Sequence, residues 1–158
     1  MKKISILLVD DHAIVRMGLA SLFATTDDLA VAGSVGDGPS ALREADRLHP
    51  DVILLDFLMP GMNGLEVTNA LLAADPSRKV LILTTFGEAE GIRRALAAGA
   101  RGAVLKSIPF DDLVAAVRTV AGGGTHVSPE IRQIIEEEKP LSPFRRAKGR
   151  SCSPSRTA

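Results

Sequence analysis

Residues 51–64 read DVILLDFLMPGMNG, and this stretch decides the fold. The four consecutive aliphatic residues at 52–55 are typical of a short strand that is buried on both faces, as the inner strands of a parallel sheet are. Asp56 follows at once, so we expect it at the carboxyl end of that strand. The proline, glycines and asparagine after it predict an irregular loop before the next helix. In open α/β sheets this edge is where ligands bind.

The same pattern of an apolar run followed by a polar residue recurs along the chain. It predicts strands at 4–9, 29–35, 52–55, 80–83 and 103–105. Apolar residues three or four positions apart predict helices at about 15–23, 39–48, 65–72, 88–98 and 110–121. This alternation indicates an α/β fold, a doubly wound parallel sheet with right-handed crossovers. We expect the flavodoxin-like strand order 2-1-3-4-5, because it places the first and third strand ends side by side.

Three regions follow from the pattern and the composition. Residues 1–124 are predicted to form the α/β domain. Residues 125–139 are predicted to be a linker with a short helix, since Ser128-Pro129-Glu130 is a good helix start. Residues 140–158 are rich in Ser, Pro and Arg and are predicted to be a disordered tail, because they cannot bury enough apolar surface to fold. Residues 139–158 hold six of the 19 Lys and Arg and none of the 19 Asp and Glu, so the body is acidic.

The sequence also indicates in which cellular compartment we expect the protein. The apolar run at 4–9 is too short for the core of a signal peptide, and no window approaches the roughly 20 apolar residues of a membrane span. The single cysteine, Cys152, cannot form a disulfide within the chain. We therefore expect a cytoplasmic protein without membrane contact.

Polar residues follow four of the predicted strands and should meet at one edge of the sheet: Asp10 and Asp11, Asp56, Thr84, and Lys106. Two carboxylates about 4 Å apart repel by roughly 4 kcal/mol at an effective dielectric near 20. Such a cluster needs a cation. The candidate ligands are oxygens apart from His12, so Mg²⁺ fits better than zinc.

A carboxylate beside Mg²⁺ can attack phosphorus and form an aspartyl phosphate. A lysine neutralises charge on the transferring group, and a hydroxyl can hold a phosphoryl oxygen; Lys106 and Thr84 are suitable for these tasks. Each residue alone also has an ordinary structural explanation. Asp10 or Asp11 could cap a helix, Lys106 could be a solvated lysine, and Thr84 a core hydroxyl. His12 is interpreted as a partly exposed residue at a helix start.

The combined motifs resemble those of a known family. They are Val9-Asp10-Asp11-His12, Leu54-Leu55-Asp56, Met59-Pro60-Gly61-Met62-Asn63-Gly64, Leu83-Thr84-Thr85-Phe86, Ala98-Gly99-Ala100-Arg101-Gly102 and Leu105-Lys106. They resemble the receiver (CheY-like) domains of bacterial two-component response regulators. The motif sequences are most similar to those of the NarL/FixJ (LuxR-type) group. The resemblance covers residue 3 to about residue 125.

The resemblance implies a function for each matching residue. Asp56 would accept the phosphoryl group, Thr84 would be the switch hydroxyl, and Lys106 would pair with the phosphate. The implied Mg²⁺ ligands are Asp10, Asp11, Asp56 and the backbone carbonyl of Leu58. A sensor histidine kinase would be the donor, and phosphorylation would favour a homodimer. Such a protein is a phosphoacceptor switch and not an enzyme, with at most self-phosphorylation from small donors and autodephosphorylation.

The chain also departs from the family pattern. Ala103 stands where receivers often have an aromatic switch residue, and Ser107 where many have proline. Leu58 and Phe86 are apolar, and we hypothesise that they hinder the water that hydrolyses the phosphorylated residue. Regulators of this group carry a helix-turn-helix after the linker, but residues 139–158 lack its amphipathic pattern. We expect a truncation or shifted reading frame there, and no DNA binding by this chain.

Two other functions are compatible with parts of the sequence. The tail could bind nucleic acid non-specifically through phosphate contacts by Arg145, Arg146, Lys148, Arg150 and Arg156. The α/β body could instead be a Mg²⁺-dependent phosphatase or hydrolase. A hydrolase of this kind would have a second acid or base two residues after the nucleophile, but position 58 of this chain is leucine.

Overall fold

The computed structural model describes residues 3–85 and 89–137. Within these residues, six parallel strands form one sheet with the order β2-β1-β3-β4-β5-β6. The strands are β1 (Ile4–Val9), β2 (Leu29–Val35), β3 (Val52–Asp56), β4 (Val80–Thr84), β5 (Gly102–Leu105) and β6 (His126–Val127). The doubly wound fold and the order 2-1-3-4-5 of the first five strands are confirmed.

Helices alternate with the strands along the chain. They are α1 (Ala13–Phe23), α2 (Gly38–Leu48), α3 (Gly64–Ala74), α4 (Ala89–Ala98), α5 (Phe110–Ala121) and α6 (Pro129–Glu137). Local chemistry fixes several of their ends. Asn63 and Glu66 form a reciprocal capping box at the start of α3, and Asp37 accepts a hydrogen bond from the Ser40 N–H at the start of α2.

Two apolar layers lie on opposite faces of the sheet. Leu7, Ile53 and Ile82 belong to the layer beneath α2, α3 and α4, whereas Leu8 and Leu54 belong to the layer beneath α1 and α5. Neighbouring residues of one strand point to opposite faces. The central strands must therefore be apolar at every position, which is why their sequences are continuous aliphatic runs.

The sixth strand was not expected from the sequence. His126 pairs with Gly102 and Val127 with Ala103, which extends the sheet beyond β5. Two residues are too short to show a strand period, so the pattern gave no signal for β6. The helix predicted in the linker is present as α6. The boundary proposed at residue 124 stays a prediction, and the tail proposed for residues 140–158 lies outside the described residues.

Helix α6 packs against the body of the fold. Ile131 is 1% exposed and lies in the same apolar layer as Ala103. The Arg93 guanidinium of α4 donates a hydrogen bond of 2.8 Å to the Ile135 carbonyl of α6. The linker helix thus packs beside α4 on the face of β5.

The helices of residues 3–85 and 89–137 do not reach across a bilayer. The longest, α5, has 12 residues, and none of them combines the length and apolar character of a membrane span.

The pairing of β5 with β6 can be tested at Gly102. A Cβ atom at this position would collide with the backbone carbonyl oxygen of His126. We expect Gly102→Ala to lower the free energy of unfolding by about 1–3 kcal/mol, the usual range for overpacking, as measured by urea denaturation.

The matched control is Gly18→Ala in α1, where an added Cβ meets no atom within 4 Å. That variant should gain up to about 1 kcal/mol from the higher helix propensity of alanine. A Gly102→Ala protein as stable as the wild type would show that β6 does not pair with β5 as described.

Candidate functional site

Three strand ends build the site at one edge of the sheet. Asp10 follows β1, and its N–H donates to the Val35 carbonyl at 3.1 Å. Asp56 is the last residue of β3. Because Val9 pairs with Leu55 in the parallel ladder, the two acids that follow these residues lie next to each other. Lys106 follows β5, and its N–H donates to the Thr84 carbonyl at 2.8 Å.

The Lys106 ammonium bridges two buried acids. Its Nζ atom lies 3.1 Å from Asp56 Oδ1 and 3.5 Å from Asp10 Oδ2. Asp56 is 1% exposed and Asp10 is 3% exposed. Asp11 adds a further carboxylate to the same group of acids. One ammonium cannot balance three carboxylates, so the site carries an excess of negative charge.

His12 faces the two N-terminal acids. Its Nδ1 atom lies 2.9 Å from Asp10 Oδ1 and 3.2 Å from Asp11 Oδ1, and its backbone N–H donates to Asp10 Oδ1 at 2.8 Å. The residue occupies the N-cap position of α1, as the sequence indicated, but its side chain makes no capping hydrogen bond. Sequence analysis missed the contact of the ring with the acids. Its position directly after two acids was the available signal.

The remaining predicted residues lie at the same edge with different orientations. Thr84 is fully buried at the end of β4, and its hydroxyl donates to the Thr85 carbonyl at 3.1 Å. In the described residues no hydrogen bond joins the Thr84 hydroxyl to Asp56. The Leu58 N–H donates to Asp56 Oδ1 at 3.2 Å, while the Leu58 side chain is 45% exposed. Phe86, the other apolar residue expected beside the site, lies outside the described residues.

The electrostatics of Asp56 follow from its surroundings. Burial raises the pKa of the Asp56 carboxyl above its ordinary value, and the nearby Asp10 charge acts in the same direction. The Lys106 ammonium and the Leu58 N–H oppose this increase without cancelling it. The folded protein therefore holds the Asp56 proton to a higher pH than the unfolded chain does. As pH rises from the Asp56 pKa of the unfolded chain through the higher pKa of the folded protein, the buried carboxyl ionises and the free energy of unfolding falls.

The donor atoms at this edge fit a hard divalent cation. Asp10, Asp11, His12 and Asp56 each offer one ligand atom within 4.8 Å of the others. Among the described residues, the buried Asp56 Oδ2 has no hydrogen-bond partner, and Asp10 Oδ2, also buried, has only the Lys106 ammonium at 3.5 Å. Buried carboxylate oxygens without partners are costly, and an ion such as Mg²⁺ takes mainly oxygen ligands. The residues present are therefore suited to Mg²⁺.

Comparison with known proteins adds independent information. The family model described as response regulator receiver domain matches residues 6–118. The transcriptional regulatory protein LnrK of Bacillus subtilis (strain 168) is 42% identical over 137 residues, which is 86% of this chain and 62% of LnrK. The response regulator GacA of Pseudomonas viridiflava is 41% identical over 130 residues, 82% of this chain and 61% of GacA. The chain thus spans about three fifths of the length of these relatives.

A solved structure shows the same architecture. The crystal structure of a two-component response regulator of the LuxR family from Aurantimonas sp. SI85-9A1 matches with a TM-score of 0.81 and 34% identity. The match covers 87% of this chain and 98% of that chain.

The charge excess predicts how an isosteric change at Asp56 affects stability. Near neutral pH, with divalent ions removed by EDTA, we expect Asp56→Asn to raise the free energy of unfolding and the Tm, because the variant removes a buried carboxylate whose pKa is raised by burial. The gain should shrink as pH falls toward the ordinary aspartate pKa of about 4, because Asp56 of the wild type then also becomes neutral. Thermal unfolding across this pH range measures both effects.

Asp112→Asn is the matched control, because Asp112 is an exposed acid in the first turn of α5. It should show no gain at neutral pH. If Asp56→Asn were less stable than the wild type near neutrality, the carboxylate would be a net stabilising partner of Lys106, contrary to this account.

Proposed function

Because this chain belongs to the response regulator receiver domain family, we propose that Asp56 accepts a phosphoryl group from a phosphohistidine of a sensor histidine kinase. Proteins of this family act in two-component signalling and are switches, not classical enzymes. The observation that carries the assignment of Asp56 is its buried carboxylate, with the Lys106 ammonium 3.1 Å from one oxygen. Its other oxygen, Oδ2, has no hydrogen-bond partner among the described residues.

We propose Asp56 Oδ2 as the attacking atom, since Oδ1 already interacts with Lys106 and the Leu58 N–H. A bond forms between Oδ2 and phosphorus while the bond from phosphorus to the imidazole nitrogen of the donor breaks. The electron pair of the broken bond stays on that nitrogen, and with a proton on the other ring nitrogen of the phosphohistidine the donor leaves as a neutral histidine. Lys106 then lies where it can offset the charge on the phosphoryl oxygens.

The proposed metal ligands are the carboxylates of Asp10, Asp11 and Asp56 and the backbone carbonyl of Leu58. When bound, Mg²⁺ would supply positive charge beside the transferring phosphoryl group. The acids themselves fix where that charge is held, because Asp10 and Asp56 are anchored at adjacent strand ends.

Thr84 is the proposed switch residue. Its hydroxyl donates to the Thr85 carbonyl in this structure, so rotation about the Cα–Cβ bond is needed before it can donate to a phosphoryl oxygen. Its backbone carbonyl also accepts from the Lys106 N–H, which joins the ends of β4 and β5. We propose that phosphorylation selects the rotated state and favours a homodimer.

The surface of α1 next to the site suits contact with the kinase. Ile14 is 84% exposed and Met17 is 69% exposed, although both are apolar. They lie on the helix that begins directly after Asp10 and Asp11. Exposed apolar residues near a reactive group favour a protein partner, and we propose that the kinase docks here.

The relatives include a transcriptional regulatory protein, and we propose that this receiver controls the output of a transcription regulator. In the described residues every helix belongs to the α/β body or packs against it, so we propose no DNA binding by this part of the chain. The basic segment 139–158 lies beyond residues 6–118, which the family model matches, and outside the described residues.

Phosphorylation is tested directly by intact mass. The full chain, incubated with Mg²⁺ and acetyl phosphate, should gain the mass of one phosphoryl group. Asp56→Asn should abolish the gain, and Asp112→Asn should retain it. An adduct that persists in Asp56→Asn would place the phosphoacceptor elsewhere.

The exposed Leu58 side chain predicts a long-lived phosphorylated state. It stands two residues after Asp56, where an apolar group cannot orient the attacking water. We expect Leu58→Asn to shorten the lifetime of the phosphorylated protein several-fold, as followed by intact mass after removal of the donor. Leu58→Met should keep the wild-type lifetime. Equal lifetimes for all three proteins would exclude this role for Leu58.

A further inference from the structure

We propose that a cavity between the first turns of α5 and α6 binds an organic cation, namely a guanidinium group on a short apolar chain. The cavity has a volume of about 390 Å³, and ligand pockets usually measure about 300–1,000 Å³. None of Asp10, Asp11 and Asp56 lines it. The inference therefore does not rest on the proposed phosphoryl transfer.

The walls of this α5–α6 cavity come from the turn between β5 and α5, from β6 and from the first turns of the two helices. The turn from Leu105 to Pro109 contains a hydrogen bond of 3.1 Å from the Ile108 N–H to the Leu105 carbonyl. The segment after β6 is held to β5, since the Ser128 N–H donates to the Ala103 carbonyl at 3.1 Å. The cavity is therefore bounded by backbone that the sheet and its turns fix in place.

Ser128 supplies the observation that points to a ligand. It lines the cavity and is 5% exposed, and its hydroxyl oxygen has no hydrogen-bond partner among residues 3–85 and 89–137. Its carbonyl accepts from the Arg132 N–H at 2.9 Å, which begins α6, but the hydroxyl does not cap that helix as a serine in this position usually does. A buried hydroxyl without a partner is costly, and a ligand that donates to it would satisfy it.

Two acids give the cavity its charge. Asp112 in the first turn of α5 and Glu130 in the first turn of α6 line it, and none of the lining residues is lysine or arginine. Neither carboxylate forms a salt bridge within the part of the chain that the structure describes. A negative charge in the first turn also suits the positive end of a helix. That interaction accounts for the two acids but leaves the Ser128 hydroxyl unpaired, whereas a cation with several N–H donors can use both features.

The apolar part of the lining selects an organic cation over a metal ion. Leu105, Ile108 and Ala115 line the cavity together with two prolines. The methylene chain of an alkyl cation is removed from water against such walls, which gives a metal ion no advantage. Guanidinium is planar, carries five N–H donors and is more weakly hydrated than ammonium. It can therefore donate to more than one acceptor while its chain contacts the apolar lining.

The probe for the test is n-butylguanidinium, and binding is followed through the amide chemical shifts of the full chain. We expect saturable shifts around the cavity, at Ser107, His126 and Glu130, with a Kd of about 1 mM for a ligand of this size. The uncharged n-butylurea has nearly the same shape and should bind at least about tenfold more weakly. Equal binding of the two compounds, or shifts confined to the surroundings of Asp10 and Asp56, would overturn the inference.

Matched variants test the contacts. Asp112→Asn should weaken binding at least about fivefold and Ser128→Ala about threefold, as expected for a charge-assisted and a neutral hydrogen bond. Asp111→Asn is the control, because Asp111 is an exposed acid of the same helical turn that does not line the cavity. It should bind as the wild type does. Unchanged binding in Asp112→Asn, or an equal effect of Asp111→Asn, would contradict a site at this cavity.

Two sources supply guanidinium chemistry: a free small molecule, and the arginine side chains of segment 139–158. A full chain with serine in place of these arginines distinguishes the sources; the substitutions are Arg145→Ser, Arg146→Ser, Arg150→Ser and Arg156→Ser. Equal affinity of this variant and the wild type for n-butylguanidinium supports a free ligand, whereas tighter binding by the variant assigns the site to an arginine of the chain itself. Saturable binding by neither protein overturns the proposal. It leaves the proposed phosphorylation of Asp56 intact, because that is tested separately by the gain in mass.

Discussion

The interaction on which the rest of the structure depends is the convergence of carboxylates on a single ammonium at the carboxyl edge of the sheet. Asp10 and Asp56 are held side by side because β1 and β3 are adjacent parallel strands. Lys106 reaches both acids from β5, two strands away from β1. Since Asp11 adds a third negative charge, the carboxylates at this edge repel one another, and a divalent cation can relieve that repulsion.

The sheet beneath this edge is built to keep the acids in place. Its central strands bury apolar side chains on both faces, and at their ends Asp10 and Asp56 are themselves buried. Burial is also the main reason that the pKa of Asp56 is raised. The same packing that stabilises the domain thus maintains the charge imbalance of the site.

Much of this arrangement could be predicted from the sequence, because it depends on local runs and on parallel topology. The strand ends at Asp10, Asp56 and Lys106 follow apolar runs, and parallel strands bring such ends to one edge. The short strand β6 could not be predicted, since its pairing is determined by the edge of β5 and not by a pattern within two residues. The direction of the Thr84 hydroxyl depends on a single bond rotation. The ring of His12 is likewise placed by its neighbours, which a strand or helix pattern does not encode.

The most direct test of the account is the affinity of the full chain for Mg²⁺, measured by calorimetric titration of the wild type and of asparagine variants at Asp10, Asp11 and Asp56. Convergence of the three carboxylates on one cation predicts a weakening of at least about tenfold for each variant, because each removes a charge from the same site. Asp112→Asn should bind as the wild type does. Mg²⁺ affinity that is unaffected by changes at Asp10 and Asp56 would contradict the central claim.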